Sequence, residues 1–258
     1  MEIIDTHTHI YLDAFENDFD EMVARAGDAG ITRFFLPNID YASLSAVNAL
    51  HARDPKMFYP MAGLHPCSVK ENYLSELDKI EQSFDSMQYV AIGETGLDLY
   101  WDKTFYPQQC ESFKIQIEWA KSRNLPIVIH ARESFNEIFE ILDEHNDDSL
   151  TGIFHCFTGS EQEAQKIMSY AGFSLGIGGV VTFKNYDGKK ALKNVPLSKI
   201  VVETDAPYLS PHPYRGKRNE PSYLKFVIEE LADIYGLTPV EIARHTTQNA
   251  LKIFKINE

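Results

Sequence analysis

Cationic side chains are scarce in this chain: 24 Lys and Arg stand against 38 Asp and Glu among 258 residues, for a formal net charge of −14. That balance excludes a protein that coats nucleic acid through a broad basic surface, because such binding needs clustered positive charge. It does not exclude a nucleic-acid enzyme, since a bound metal supplies positive charge locally. Cysteine is also sparse. Cys67, Cys110 and Cys156 are widely scattered, without Cys-x-x-Cys spacing. A disulfide framework is excluded, and the three read as reduced thiols of a cytoplasmic protein. No apolar run approaches the roughly 20 residues of a membrane span, so no membrane association is expected. The N-terminus enters an apolar strand without the basic, apolar and cleavage-site succession of a signal peptide, and none is expected. Internal repeats, low-complexity tracts and Pro/Ser-rich linkers are missing too. What remains is ordinary globular composition, 44% hydrophobic and 24% charged, and one domain over 1–258 is expected.

The apolar runs alternate with helical periodicity. Strands are predicted at 3–9, 31–36, 58–64, 89–94, 126–130, 152–157, 173–177 and 200–205. Helices are predicted between and after them, at about 15–29, 41–53, 74–84, 108–123, 135–144, 161–170, 223–235 and 239–254. Such alternation calls for a parallel sheet covered by helices. Eight units in about 250 residues is the size of an α/β fold of the closed (β/α)8 TIM-barrel type. An open doubly wound sheet is the alternative, but it leaves the polar residues at the strand ends unexplained.

Those strand ends carry the chemistry. The first ends in His7 and His9, which share one side of an extended chain. Strand four ends in Glu94, strand five in His130, strand six in His155 and strand eight in Asp205. A lone histidine after an apolar run is more often a hydrogen-bonded core residue than a ligand. Five strands with imidazoles or carboxylates at the same end point instead to a metal site at the C-terminal mouth of the barrel. Six ligands exceed what one catalytic zinc takes, and suit two divalent ions bridged by a carboxylate. The expected first site is His7, His9, Glu94 and Asp205, and the second is Glu94, His130 and His155. A pair of ions about 3.5–4 Å apart generates hydroxide at neutral pH and clamps the attacking and leaving oxygens of a displacement.

The motifs Asp5-Thr6-His7-Thr8-His9, Gly63-Leu64-His65-Pro66, Gly93-Glu94-Thr95-Gly96-Leu97-Asp98, His155-Cys156-Phe157-Thr158-Gly159 and Glu203-Thr204-Asp205-Ala206-Pro207-Tyr208-Leu209 resemble the TatD-type metal-dependent deoxyribonucleases, a branch of the amidohydrolase-like barrels. The resemblance runs over essentially the whole chain, through Asn249-Ala250. It implies a two-metal barrel that hydrolyses DNA phosphodiesters, with 3′-to-5′ exonuclease and apurinic-site activity, and metal ligands at the same six positions.

Other residues are candidates for contact with substrate. His65 ends strand three, is not needed by either ion, and is expected to bind phosphate or protonate a leaving oxygen. Glu203, two residues before Asp205, is expected beside the metals, where a buried carboxylate is tolerated. Glu94 and Asp205 complete the expected catalytic set. Asp98 and Asp5 are candidates to orient histidine ligands. Tyr214, Arg215, Lys217 and Arg218 form the one local cationic cluster and, with Arg132, are expected to take DNA phosphates, Tyr214 adding a stacking face. Trp101 is placed to contact a base. Single strands or frayed ends are the expected substrate, because loops around a barrel mouth admit one strand more easily than a duplex. Two other readings stand beside this one: an amidohydrolase for a small cyclic amide or lactone, and a non-catalytic DNA-binding barrel.

Overall fold

The computed structural model describes residues 2–256. Strands and helices alternate as β1 (Ile3–Asp5), α1 (Phe19–Asp28), β2 (Ile31–Leu36), α2 (Leu44–Arg53), β3 (Phe58–Pro60), α3 (Tyr73–Ser83), β4 (Ile92–Asp98), α4 (Tyr106–Arg123) and β5 (Ile127–Arg132). The second half continues as α5 (Phe135–His145), β6 (Gly152–Phe154), α6 (Glu161–Ser169), β7 (Phe173–Ile177), α7 (Lys189–Leu192), β8 (Ile200–Val202), α8 (Leu224–Tyr235) and α9 (Pro239–Ile253). Chain chemistry explains several boundaries. Capping boxes Ser160/Glu163 and Thr238/Glu241 start α6 and α9, satisfying backbone N–H groups that a helix start leaves free. Gly236, at φ 67°, ends α8, a left-handed conformation that costs glycine little.

All strand pairings are parallel, in two arcs ordered β1-β2-β3 and β4-β5-β6-β7-β8. The arcs join where Ala62 bridges Ile92 and where the Val90 and Gly93 N–H groups donate to Pro60 and Ala62 carbonyls at 2.9 and 3.0 Å. On the other side, Thr6 N–H donates to the Val202 carbonyl at 3.1 Å and Asp205 N–H to the His7 carbonyl at 2.9 Å. The ring is closed, as the alternation predicts, and the fold is a TIM barrel. Asp5, expected to orient a histidine ligand, accepts the His7 N–H at 3.4 Å and also ties this seam: it accepts from the Thr204 N–H at 2.9 Å and the Thr204 hydroxyl at 2.5 Å.

The predicted strands at 3–9, 58–64, 152–157 and 200–205 end early, at Asp5, Pro60, Phe154 and Val202, although the Thr6, His155 and Glu203 N–H groups still donate to Val202, Ile129 and Ile177 on neighbouring strands. β4 does the opposite and runs on to Asp98, so Glu94 lies inside the strand rather than at its end. Its register against β5 shifts between Ile92 and Thr95. Gly96 makes this close ladder possible, since a Cβ there would stand 2.2 Å from the His130 carbonyl oxygen, and its φ is 130°. α7, a single turn, is too short to leave a periodic signature.

Two apolar layers support the mouth. Most large side chains pack between helices and strands. A second cluster takes Ile4, Phe35, Val128, Ile153 and Val201 from five strands and packs them on Ala250, Leu251 and Phe254 at the end of the chain. With that interior filled, the polar strand ends collect at the opposite, C-terminal mouth.

Candidate metal centre

His7 Nε2 lies 3.2 Å from His9 Nε2, 3.1 Å from Glu94 Oε2 and 3.6 Å from Asp205 Oδ1. His9 Nε2 lies 3.5 and 3.4 Å from those same two oxygens. Four N/O ligands around an ion at about 2.0–2.1 Å stand roughly 3.3–3.4 Å apart in a tetrahedron, so these atoms already have the spacing of a ligand shell. The other oxygen of Glu94 faces a second set. Oε1 is 2.7 Å from His130 Nδ1, 2.8 Å from His155 Nε2 and 3.3 Å from His65 Nε2. His130 Nδ1 and His155 Nε2 are 3.3 Å apart. The His7 and His155 rings stack at 3.9 Å, which draws the two sets together.

Outer partners decide which nitrogen of each ring is free. Asp98 Oδ2 sits 2.9 Å from His130 Nε2. A carboxylate only accepts, so Nε2 carries a proton held by Asp98, and Nδ1 is the ring nitrogen aimed at the centre. Tyr11, which sequence reading passed over, does the same for His9. Its hydroxyl donates to the Pro37 carbonyl at 2.8 Å and so accepts from His9 Nδ1–H at 2.9 Å, which leaves Nε2 as the ring nitrogen that faces the centre. Tyr11 lies two residues past His9, and that i+2 relation was the signal available. His65 is oriented the other way: its Nδ1 accepts from the Cys67 N–H at 3.0 Å, so its proton is on Nε2. Glu203, expected beside the metals, is buried behind His155, 3.4 Å from its Nδ1, accepts from the Cys156 N–H and forms a compact ligand-type set with His7 and His155.

The field of the site fits a divalent cation. Burial pushes Glu94 up, but the imidazoles of His155, His65 and His7 outweigh it and hold the carboxyl well below the usual carboxylate range. Asp205 is lowered against its burial by the hydrogen bond from His9 and the charge of His7. Burial pulls His9 down, yet its hydrogen bonds to Asp205 and Glu94 push it up to about 10. Two ionised, buried carboxylates thus draw positive charge into a cage of imidazole nitrogens. Among the described residues the buried Nδ1 of His7 has no hydrogen-bond partner, while its Nε2 faces His9, Glu94 and Asp205. Three residue sets here, His7/His9/Glu94, His7/His155/Glu203 and His65/Glu94/His130, are each compact enough to surround one ion.

The centre opens into a cavity of about 520 Å³, lined by His9, His65, Glu94, His130, His155 and Asp205 and rimmed by Trp101, Arg132, Tyr208 and Leu209. The expected cationic loop lies outside it. Arg218 forks onto Asp18 at 2.6 and 2.8 Å and covers the Phe15 ring, so its donors are taken by the fold. Tyr214 stacks on Tyr223 at 4.2 Å, with Lys217 over it. Arg215 packs 3.7 Å over Phe183 in a separate pocket. The four were grouped because they are neighbours in sequence; tertiary packing spreads them over α1, α8 and the loop after β7. Among the described residues, no helix is long and apolar enough to cross a membrane.

A family model described as TatD related DNase matches residues 4–255. The chain belongs to this family. Among TatD relatives, the uncharacterized metal-dependent hydrolase YabD of Bacillus subtilis is 39% identical over 99% of this chain and 100% of its own. A 3′-5′ ssDNA/RNA exonuclease TatD of Erwinia billingiae is 30% identical over 94% of this chain and 95% of its own. The solved structure of YjjV, a TatD homolog of Escherichia coli K12, superposes with a TM-score of 0.92 at 27% identity, covering 99% of this chain and 98% of that one. The TatD barrel and the His/Glu cluster agree: this chain is a metal-dependent hydrolase.

Proposed function

We propose that this TatD protein, acting as one catalytic domain, is a two-metal phosphodiesterase for single-stranded or frayed DNA, with 3′-to-5′ exonuclease activity and cleavage at apurinic sites. The observation that carries the reading is the division of Glu94, one oxygen toward His7 and His9, the other toward His130 and His155. His7, His9, Glu94 and Asp205 would hold one divalent ion, and Glu94, His130 and His155 the other. Bound there, the ions supply a nucleophile at neutral pH and stabilise charge on the attacking and leaving oxygens.

The chain's own groups do the rest. Asp98 and Tyr11 hold the outer nitrogens of His130 and His9, so that Nδ1 of the one and Nε2 of the other face inward, and Glu203 backs His155. Burial lowers His65, keeping it neutral with Nε2–H at the cavity. From there it donates to a phosphate oxygen and stands by the leaving oxygen. Arg132 at the rim offers a guanidinium to a neighbouring phosphate. The Erwinia billingiae relative, by its name, supports the nucleic-acid class. Cys67, Cys110 and Cys156 are all unpaired, which supports a cytoplasmic location. The test is turnover of 3′-labelled single-stranded and duplex oligonucleotides beside a panel of cyclic amides and lactones, with metal content measured on the same protein. Release of mononucleotides from the 3′ end is the expected result; hydrolysis confined to amides or lactones would overturn the reading.

A further inference from the structure

We infer that Tyr100, Trp101 and Arg132 form a nucleotide subsite at the cavity rim, where the indole stacks on the base beside the scissile phosphate and the guanidinium takes the adjoining phosphate. This rests on the nucleic-acid reading above and assigns it a place and a partner chemistry.

Trp101 is 68% exposed and Tyr100 50% exposed, an unusual position for large aromatic faces on a folded surface unless they meet something. Their rings meet edge-on at 4.9 Å and 85°. The Arg132 guanidinium sits in that corner, 4.1 Å from the Tyr100 ring and 5.2 Å from the Trp101 ring. In a chain of net charge −14, this guanidinium has no carboxylate within ion-pair distance among the described residues. The aromatic rings hold it by cation–π attraction and leave its in-plane N–H donors unspent. A planar fork of that kind matches phosphate oxygens.

The corner is also locked to the metal centre. Asp98, whose Oδ2 orients His130, accepts the N–H groups of Tyr100 and Trp101 on Oδ1, at 3.0 and 3.1 Å. Arg132 follows His130 by two residues on β5, opposite Asp98 in the ladder. One carboxylate thus sets the distance from the reacting centre to the shelf. Tyr208 and Leu209, 50% and 42% exposed, face it from the other rim. Stacking of this type tolerates every base, because each has a π face, so the subsite reads single-strandedness rather than sequence.

The experiment uses the metal-loaded protein, its Trp101→Ala, Trp101→Phe and Arg132→Lys variants, and single-stranded oligonucleotides in which each of the last three 3′ residues is replaced in turn by an abasic tetrahydrofuran. A second readout is quenching of 2-aminopurine fluorescence in a non-cleavable phosphorothioate strand. Trp101→Ala should raise KM about 5- to 100-fold on the intact strand and abolish the quench, and Trp101→Phe should restore most of both. At one abasic position the wild type and Trp101→Ala should converge, since no base is left to stack. Arg132→Lys should raise KM on intact and abasic strands alike. If the wild type degrades oligonucleotides and the variants match it in KM and quench, the subsite is wrong and the phosphodiesterase reading stands. If the wild type neither binds nor cleaves oligonucleotides, that reading fails and this inference falls with it.

Discussion

Asp98 Oδ2 accepts the Nε2 proton of His130 at 2.9 Å, and the same ring then presents Nδ1 to Glu94 Oε1 at 2.7 Å. The pair converts a histidine that could face either way into one with a defined donor side and a defined ligand side. Asp98→Asn should keep the shape but present an amide whose N–H₂ can face the ring, loosening that choice. A 10- to 100-fold loss of metal affinity is expected, the usual cost of removing such an outer partner. Titration of the apo-protein with Zn²⁺ or Mn²⁺ measures it, and an unchanged affinity would deny Asp98 that role.

Glu94→Gln removes the one charge that faces both histidine sets. The variant should bind fewer ions than the wild type, and hydrolysis should fall at least about 10²-fold, beyond what outer partners cost. Chelation of the wild type should produce the same loss, reversed by added divalent metal. Elemental analysis alongside rates checks both; full metal content with near-native turnover would show that Glu94 does not bridge.

Tyr11→Phe deletes the acceptor of His9 Nδ1–H while keeping the ring. Metal affinity should weaken, by less than in the Glu94 variant, with little change in melting temperature. Isothermal titration and thermal melts separate these outcomes. A large drop in stability with intact affinity would make Tyr11 a packing residue.

Arg218→Ala should act on stability rather than on substrate. Its guanidinium is shared by Asp18 and Glu220, partly exposed, and worth on the order of 1 kcal/mol. Hydrogen bonds from Arg218 and Arg25 hold Asp18 well below the usual carboxylate range. A carboxyl lowered in the folded state contributes stability above its unfolded pKa, and that contribution is lost as pH falls through the folded value. The gap in stability between wild type and variant should therefore be full at pH 7 and shrink below about pH 4. Urea unfolding at pH 7 and pH 3 tests the sign, and a change in oligonucleotide KM larger than the change in stability would return Arg218 to the substrate path.

Gly176→Ala places a Cβ 2.3 Å from Oε2 of the buried Glu203, whose carboxylate must then shift. Overpacking of this order costs about 1–3 kcal/mol, and displacement of Glu203 should release His155 as well. Melting temperature and metal affinity should fall together; a neutral outcome would mean that Glu203 can swing aside.

The order of apolar runs, their length and the repeated placement of histidine and carboxylate at their ends determined a closed barrel with a metal mouth, because strand period and ligand chemistry are local properties of the chain. That His7, His9, His130, His155, Asp205 and Glu94 would converge at one mouth was legible for that reason. The structure corrected readings that depended on neighbours distant in sequence. Glu94 sits within β4, since the ladder with β5 continues to Asp98. Asp5 seals the β1–β8 seam through Thr204 as well as holding the His7 backbone N–H, because Thr204 lies against it only once the ring closes. Arg218 is consumed by Asp18, which precedes it by 200 residues. Tyr11 and the Tyr100–Trp101–Arg132 corner gained their meaning from contacts made between loops. A residue's type and strand position belong to the sequence, whereas the atom that takes its proton or its charge belongs to whatever the closed barrel brings within about 3 Å.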